Sequence, residues 1–140
     1  DTTVERAGRT TKGSILVVED EAEILELNAD VLRLAGHRVY EALGGEEALE
    51  ILRGGAEIDL MLTDVVMPGM SGPRLVAEVR EHWPRIGVLY LSGHAAATIA
   101  TESIDPTRLL TKPSGADELV NAVSDALDSS FVTDGRDDTP

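Results

Sequence analysis

LMLTDVVMPGMSG, residues 60–72, sets the problem. A mostly apolar run ends in one acid, Asp64. Two valines follow, and then a Met-Pro-Gly-Met-Ser-Gly segment that can continue neither strand nor helix. Read as the end of a buried strand, the stretch fixes a carboxylate rigidly while leaving it at an open edge. The Pro68-Gly69 and Ser71-Gly72 pairs then turn the chain back into PRLVAEVREHW (73–83), a helix with Pro73 near its start, where a missing N–H costs little.

The same two periods alternate on either side. SILVVE (14–19) is a short β-branched apolar run, a buried strand. EAEILELNADVLRLAG (21–36) carries Ile24, Leu27, Val31 and Leu34 at helical spacing, with Asn28 at the edge of that stripe and Gly36 as a stop. HRVYEA (37–42) reads as a strand, and GEEALEILRGG (45–55) as a helix with acids in its first turn and a Gly-Gly stop. IDLMLT (58–63) and GVLYLS (87–92) are strands, AAATIATES (95–103) a helix and TRLLT (107–111) a fifth strand. GADELVNAVSDALD (115–128) is the last helix, with Leu119, Val120, Val123 and Leu127. Strands that are apolar throughout need cover on both faces. The pattern therefore predicts an α/β fold, a parallel sheet with helices on either side. Residues 1–13 and 129–140 read as tails around a folded part at 14–128.

Composition narrows the function. A chain of 140 residues suggests one domain. Hydrophobic residues reach 42% but aromatics only 3%, so the core is aliphatic. There is no cysteine, which excludes disulfides, thiolate metal sites and Cys nucleophiles. No apolar run approaches the length of a membrane span. The N-terminus has no apolar core of a secretory signal and no initiator Met, so a cytoplasmic chain cut from a longer parent is the expectation. A net charge of −14 argues against nucleic acid or an anionic membrane as a direct partner.

In a parallel sheet of this kind, ligands sit outside the carboxyl ends of the strands. Those ends carry Glu19-Asp20, Asp64, Ser92-Gly93 and Thr111-Lys112-Pro113. Singly, each has an ordinary reading as a turn, cap or solvated residue. Together they place carboxylates, a hydroxyl and an amine on one edge. Clustered carboxylates repel, and a hard divalent cation relieves the repulsion. Mg²⁺ suits an oxygen site of one or two carboxylates, waters and a phosphate oxygen. Asp64 could itself accept a phosphoryl group, with the Val66 carbonyl completing the cation site. His94 reads as a rim residue; His37 and His82 read as structural groups at helix ends, and Trp83 as packing for the end of the third helix.

These residues resemble the receiver domain of bacterial two-component response regulators. ILVVEDE (15–21), LTDVVMPGMSG (62–72), LSG (91–93) and LLTKP (109–113) look like its four signatures, in order. The resemblance implies a five-stranded sheet in the order 2-1-3-4-5, the flavodoxin-like arrangement that the general rule for such folds illustrates with this same family. It implies Asp64 as phosphoacceptor, Glu19 and Asp20 as the acidic pair with Asp20 the more direct Mg²⁺ ligand, and Val66 lending its carbonyl. Ser92 would follow the phosphoryl group, Lys112 would contact it, and the Lys112-Pro113 bond would be cis. A sensor histidine kinase is the implied phosphoryl donor, with a downstream protein or phosphotransfer domain as a further partner. The wording of the motifs resembles receivers fused to hybrid sensor histidine kinases. Such a chain would catalyse at most its own phosphorylation and dephosphorylation.

Two positions depart from the family's pattern. Glu19 stands where Asp is usual, and Leu109 where an aromatic switch residue is common. The second departure leaves room for a receiver-like module that works without phosphorylation. A small Mg²⁺-dependent phosphohydrolase is a further alternative, though no second aspartate stands two residues after Asp64 to act as general acid.

Overall fold

The computed structural model describes residues 12–93, 108–112 and 115–137, with side chains as far as 128. Five strands run β1 Ser14–Val18, β2 Arg38–Ala42, β3 Leu60–Asp64, β4 Gly87–Ser92 and β5 Leu109–Thr111. They form one sheet in the order β2-β1-β3-β4-β5, parallel at every pairing, as the resemblance implied. The helices described are α1 Ala22–Leu34, α2 Gly45–Arg53, α3 Gly72–His82 and α4 Ala116–Asp137. The helix expected at 95–103, His94 and Pro113 lie outside the described residues.

Burial on both faces explains the uninterrupted apolar strands. Leu16 and Val18 of β1, Met61 of β3 and Val88 of β4 face Leu49, Leu52, Leu75 and Val79 of α2 and α3. Their neighbours Ile15, Val17, Leu60, Leu62, Leu89 and Leu91 face Leu25, Leu32, Leu119, Val123 and Leu127 of α1 and α4. The period of two thus sorts side chains between two cores, where a half-exposed sheet would sort them between core and water.

Three expectations are corrected. In α1 the stripe facing the sheet is Leu25, Ala29 and Leu32, while Leu27 is 63% and Leu34 89% exposed. Both sets have helical spacing; Leu25 and Leu32 meet the sheet, and small Ala29 lets the backbone approach between them. β3 begins at Leu60 and includes Asp64, because Asp59 is occupied at the strand's entrance: its Oδ2 accepts from the Ser14 N–H at 2.8 Å. Finally, α4 continues to Asp137, past the expected end at 128. Ser129, Ser130 and Thr133 are weak helix formers but not breakers, and no proline intervenes before Pro140.

Local signals set the other boundaries. Gly36, at φ 103°, carries the chain from α1 into β2. Ser71 caps α3 by accepting from the Arg74 N–H at 3.3 Å, and Pro73 follows in the first turn. Trp83 ends α3 and packs on the core formed with α2, as expected of it. The helix ends place His37 buried and His82 exposed.

Candidate functional site

The site is built where the strands run out. Backbone pairing continues past each strand and holds the next residue in place. Glu19 N–H donates to the Ala42 carbonyl at 3.0 Å, Val65 N–H to Leu91 at 3.0 Å and Lys112 N–H to Ser92 at 2.7 Å. Asp64 pairs in register with Leu91, and Ser92 with Thr111. The functional side chains therefore stand on a backbone that the sheet itself immobilises.

The loop after Asp64 closes through a close approach that the sequence reading did not identify. Gly72 N–H donates to the Val65 carbonyl at 2.8 Å, and a Cβ on Gly72 would collide with the Asp64 carbonyl oxygen. Glycine at the start of α3 is what lets the helix return directly beneath the acid. A glycine wedged between a capping Ser71 and Pro73 was the available signal; it was read only as a chain stop.

The carboxylates converge. One oxygen each from Glu19, Asp20 and Asp64 lies within 4.8 Å of the others. Lys112 Nζ sits 3.0 Å from Asp64 Oδ2 and 3.0 Å from Glu19 Oε1. Only the Asp64 contact also has hydrogen-bond direction; Glu19 Oε1 is held by charge and is buried without a hydrogen bond. Glu19 Oε2 accepts from the Glu21 N–H at 3.2 Å. Ser92 ends β4 and is buried at the same edge. Val66 lies two residues beyond Asp64 with its side chain 76% exposed.

Electrostatics follow from burial. Loss of water around Glu19 raises its pKa; the nearby Lys112 ammonium and the Glu21 N–H oppose the rise, and the Asp64 charge adds to it. Burial alone would lower the Lys112 pKa, but its contacts with Asp64 and Glu19 outweigh that and hold it above its ordinary value. The ammonium is thus kept charged between two acids. Three carboxylates against one ammonium leave an excess of negative charge. A buried Glu19 oxygen without a hydrogen bond, beside two more hard oxygen donors, is a set that fits a divalent cation such as Mg²⁺. Among the described residues no helix is long and apolar enough to cross a membrane.

Comparison with known proteins agrees with this geometry. The family model described as the response regulator receiver domain matches residues 15–124. The chain is 36% identical over 118 residues to the sensor kinase CckA of Brucella abortus, covering 82% of this chain but only 12% of that kinase. It is 31% identical to the response regulator receiver protein CpdR of the same organism, over 81% of this chain and 95% of that protein. The crystal structure of the receiver domain from the hybrid histidine kinase CckA superposes with a TM-score of 0.69 at 36% identity, covering 82% of this chain and 99% of that one. A sheet in the order 2-1-3-4-5, acids and a lysine meeting at its carboxyl edge, and a family match over most of the folded residues lead to one assignment: the chain belongs to the response regulator receiver domains of two-component signalling.

Proposed function

We propose that this receiver accepts a phosphoryl group on Asp64 from the phosphohistidine of a sensor histidine kinase. The observation that carries the reading is Lys112, held 3.0 Å from Asp64 Oδ2 beside three converging acid oxygens. With Lys112 on Oδ2, an Asp64 oxygen attacks phosphorus; an O–P bond forms, the N–P bond to the donor imidazole breaks, and its electron pair stays on the imidazole nitrogen, which takes a proton from solvent water. Bound at Glu19, Asp20, Asp64 and the Val66 carbonyl, Mg²⁺ would offset the charge shared between donor and acceptor oxygens. Lys112 and the Ser92 hydroxyl then follow the added phosphoryl charge. The likeness to a receiver within a hybrid histidine kinase supports a kinase or a phosphotransfer domain as partner.

Incubation with acetyl phosphate and Mg²⁺ should add the mass of one phosphoryl group, and Asp64→Ala should abolish the gain. An unmodified wild-type chain under those conditions would remove the reading. That outcome would favour a module that binds without phosphorylation, which Leu109 at the head of β5 already favours over an aromatic switch.

A further inference from the structure

The chain has three methionines and no cysteine, so its sulfur chemistry belongs to thioethers. Met61 is fully buried in β3, and Met67 is 7% exposed in the same core. Met70 differs. It is half-buried, packs on that core from outside, and lines an open cleft of about 490 Å³ with Leu43, Gly44, Pro68, Gly69 and Arg74. A thioether in such a cleft meets dissolved oxidants that the two core methionines do not.

The Met70 sulfur also bears on structure. A Cβ built on Gly45 would lie 2.6 Å from Met70 Sδ and 3.1 Å from its Cβ and Cγ. Glycine at the first position of α2 is therefore the seat of this side chain, and no further atom fits between them. The seat matters because of the loop it holds. The chain leaves Asp64, exposes Val66 and returns into α3, and the bond from Gly72 N–H to the Val65 carbonyl closes the base of the loop. Met67 pins the middle of the loop in the core. Beyond the turn at Gly69, with φ 81°, Met70 rests the tip on α2.

We propose that Met70 is a sulfoxidation site, and that its oxidation by hydrogen peroxide unseats this loop from α2 and displaces the Val66 carbonyl. The thioether sulfur attacks one peroxide oxygen; an S–O bond forms and the O–O bond breaks. The attacked oxygen passes its proton to the departing hydroxide, which leaves as water. Sulfur loses two electrons and the peroxide gains them. The sulfoxide is polar, and it carries its oxygen on the atom that touched Gly45. An oxygen aimed at α2 collides with Gly45; one aimed at the cleft draws the side chain outward into water. A methionine sulfoxide reductase would restore the thioether and the seat. The inference rests on the proposed cation and phosphoacceptor readings only for its effect on Mg²⁺ binding and labelling.

The test treats the full chain with hydrogen peroxide and maps methionine oxidation by peptide mass. In the folded chain Met70 should gain one oxygen at least about tenfold faster than Met61 or Met67, and in denaturant the three should react alike. The purified Met70 sulfoxide should shift the ¹⁵N amide signals of Gly45 and Val66 and leave those of β1 in place. By calorimetry its Mg²⁺ dissociation constant should rise about fivefold; losing a ligand's own partner costs about tenfold or more, and Met67 still holds the loop. Met70→Leu, given the same peroxide, should keep its untreated constant, which separates Met70 from Trp83 and the histidines. Equal reaction of the three methionines in the folded chain, unmoved Gly45 and Val66 amides, an unchanged Mg²⁺ constant, or an equal loss in Met70→Leu would each overturn the inference. If wild type binds no Mg²⁺, the cation reading falls, and the mass map and amide shifts still decide whether oxidation unseats the loop.

Discussion

The two edges of this sheet solve the same problem in opposite ways. At the amino edge the backbone N–H groups of four residues are met. Ser14 N–H is met by Asp59 Oδ2, Gly13 N–H by His37 Nδ1 at 3.2 Å, and the Asp59 and Arg38 N–H groups by the Ser14 and Gly13 carbonyls. At the carboxyl edge three acids crowd within 4.8 Å, and a buried Glu19 oxygen has no hydrogen bond. Backbone pairing is equally regular at both edges, so the contrast lies in the side chains chosen. Helices α1, α2 and α3 all begin at the carboxyl edge, and their positive ends make it the tolerable place for excess negative charge. One edge is finished for stability; the other carries three acids against one ammonium.

The sharpest way to break that contrast is to remove one acid from each edge. Asp64→Asn should abolish phosphoryl labelling completely while leaving the melting temperature close to wild type. Asp59→Ala should leave labelling intact and cost about 1–3 kcal/mol, since the Ser14 N–H loses its acceptor. Mass spectrometry and thermal melts separate the two results. If Asp59→Ala costs labelling and Asp64→Asn does not, the division of labour between the edges is wrong.

Gly72→Ala is the next largest effect, because it joins stability to function. The new Cβ meets the Asp64 carbonyl oxygen and the Val65 Cα, both backbone. Overpacking of that kind costs about 1–3 kcal/mol. Denaturant unfolding should show the loss, and labelling should slow because Asp64 is pushed off its position. A Gly72→Ala chain of wild-type stability would mean that α3 can tilt away freely.

How much of this was legible in the sequence follows from the physics of each edge. The parallel sheet and the meeting of Glu19, Asp20, Asp64 and Lys112 at one edge were readable from long apolar runs and charged strand ends, while the strand order followed only from the resemblance to the receiver family. Which acids Lys112 meets was not readable, since only packing at the edge brings it to both Glu19 and Asp64. Nor was the face of α1: Leu27 and Leu34 fit a helical period as well as Leu25 and Leu32 do, and only packing against the sheet chooses between them. Asp59 sat inside an apparently apolar run, and only its bond to Ser14 shows why the strand starts later.

The amino edge has a titratable weak point. His37 is buried, and burial, helped by the charge of Lys12, holds its pKa below the ordinary value of 6.5. A neutral ring can accept the Gly13 N–H at Nδ1; a protonated one cannot. The unfolded chain therefore binds more protons than the folded one below 6.5, and stability contributed by neutral His37 is present above that pH and lost as pH falls beneath it. The slope is at most about 1.4 kcal/mol per pH unit. His37→Asn, whose amide oxygen can accept but not titrate, should flatten that part of the curve in denaturant melts taken from pH 7 down to about pH 5. An unchanged slope would place the sensitivity elsewhere.

The smallest expected effect tests the helix that the sequence read on the wrong face. Leu27 and Leu34 stand 63% and 89% exposed on α1, one turn pair apart, while the sheet holds Leu25, Ala29 and Leu32. Neither exposed leucine contributes a filled core position, so Leu27→Ser and Leu34→Ser should each change unfolding stability by less than about 0.5 kcal/mol. Serine is the weaker helix former, so any residual loss should match its propensity and not a cavity. A cost of several kcal/mol for either would mean that α1 turns its other face to the sheet, which would also carry Glu21 and its N–H away from Glu19. The helix register and the carboxyl edge thus stand on the same rotation, and an almost silent substitution on the surface of α1 supports both.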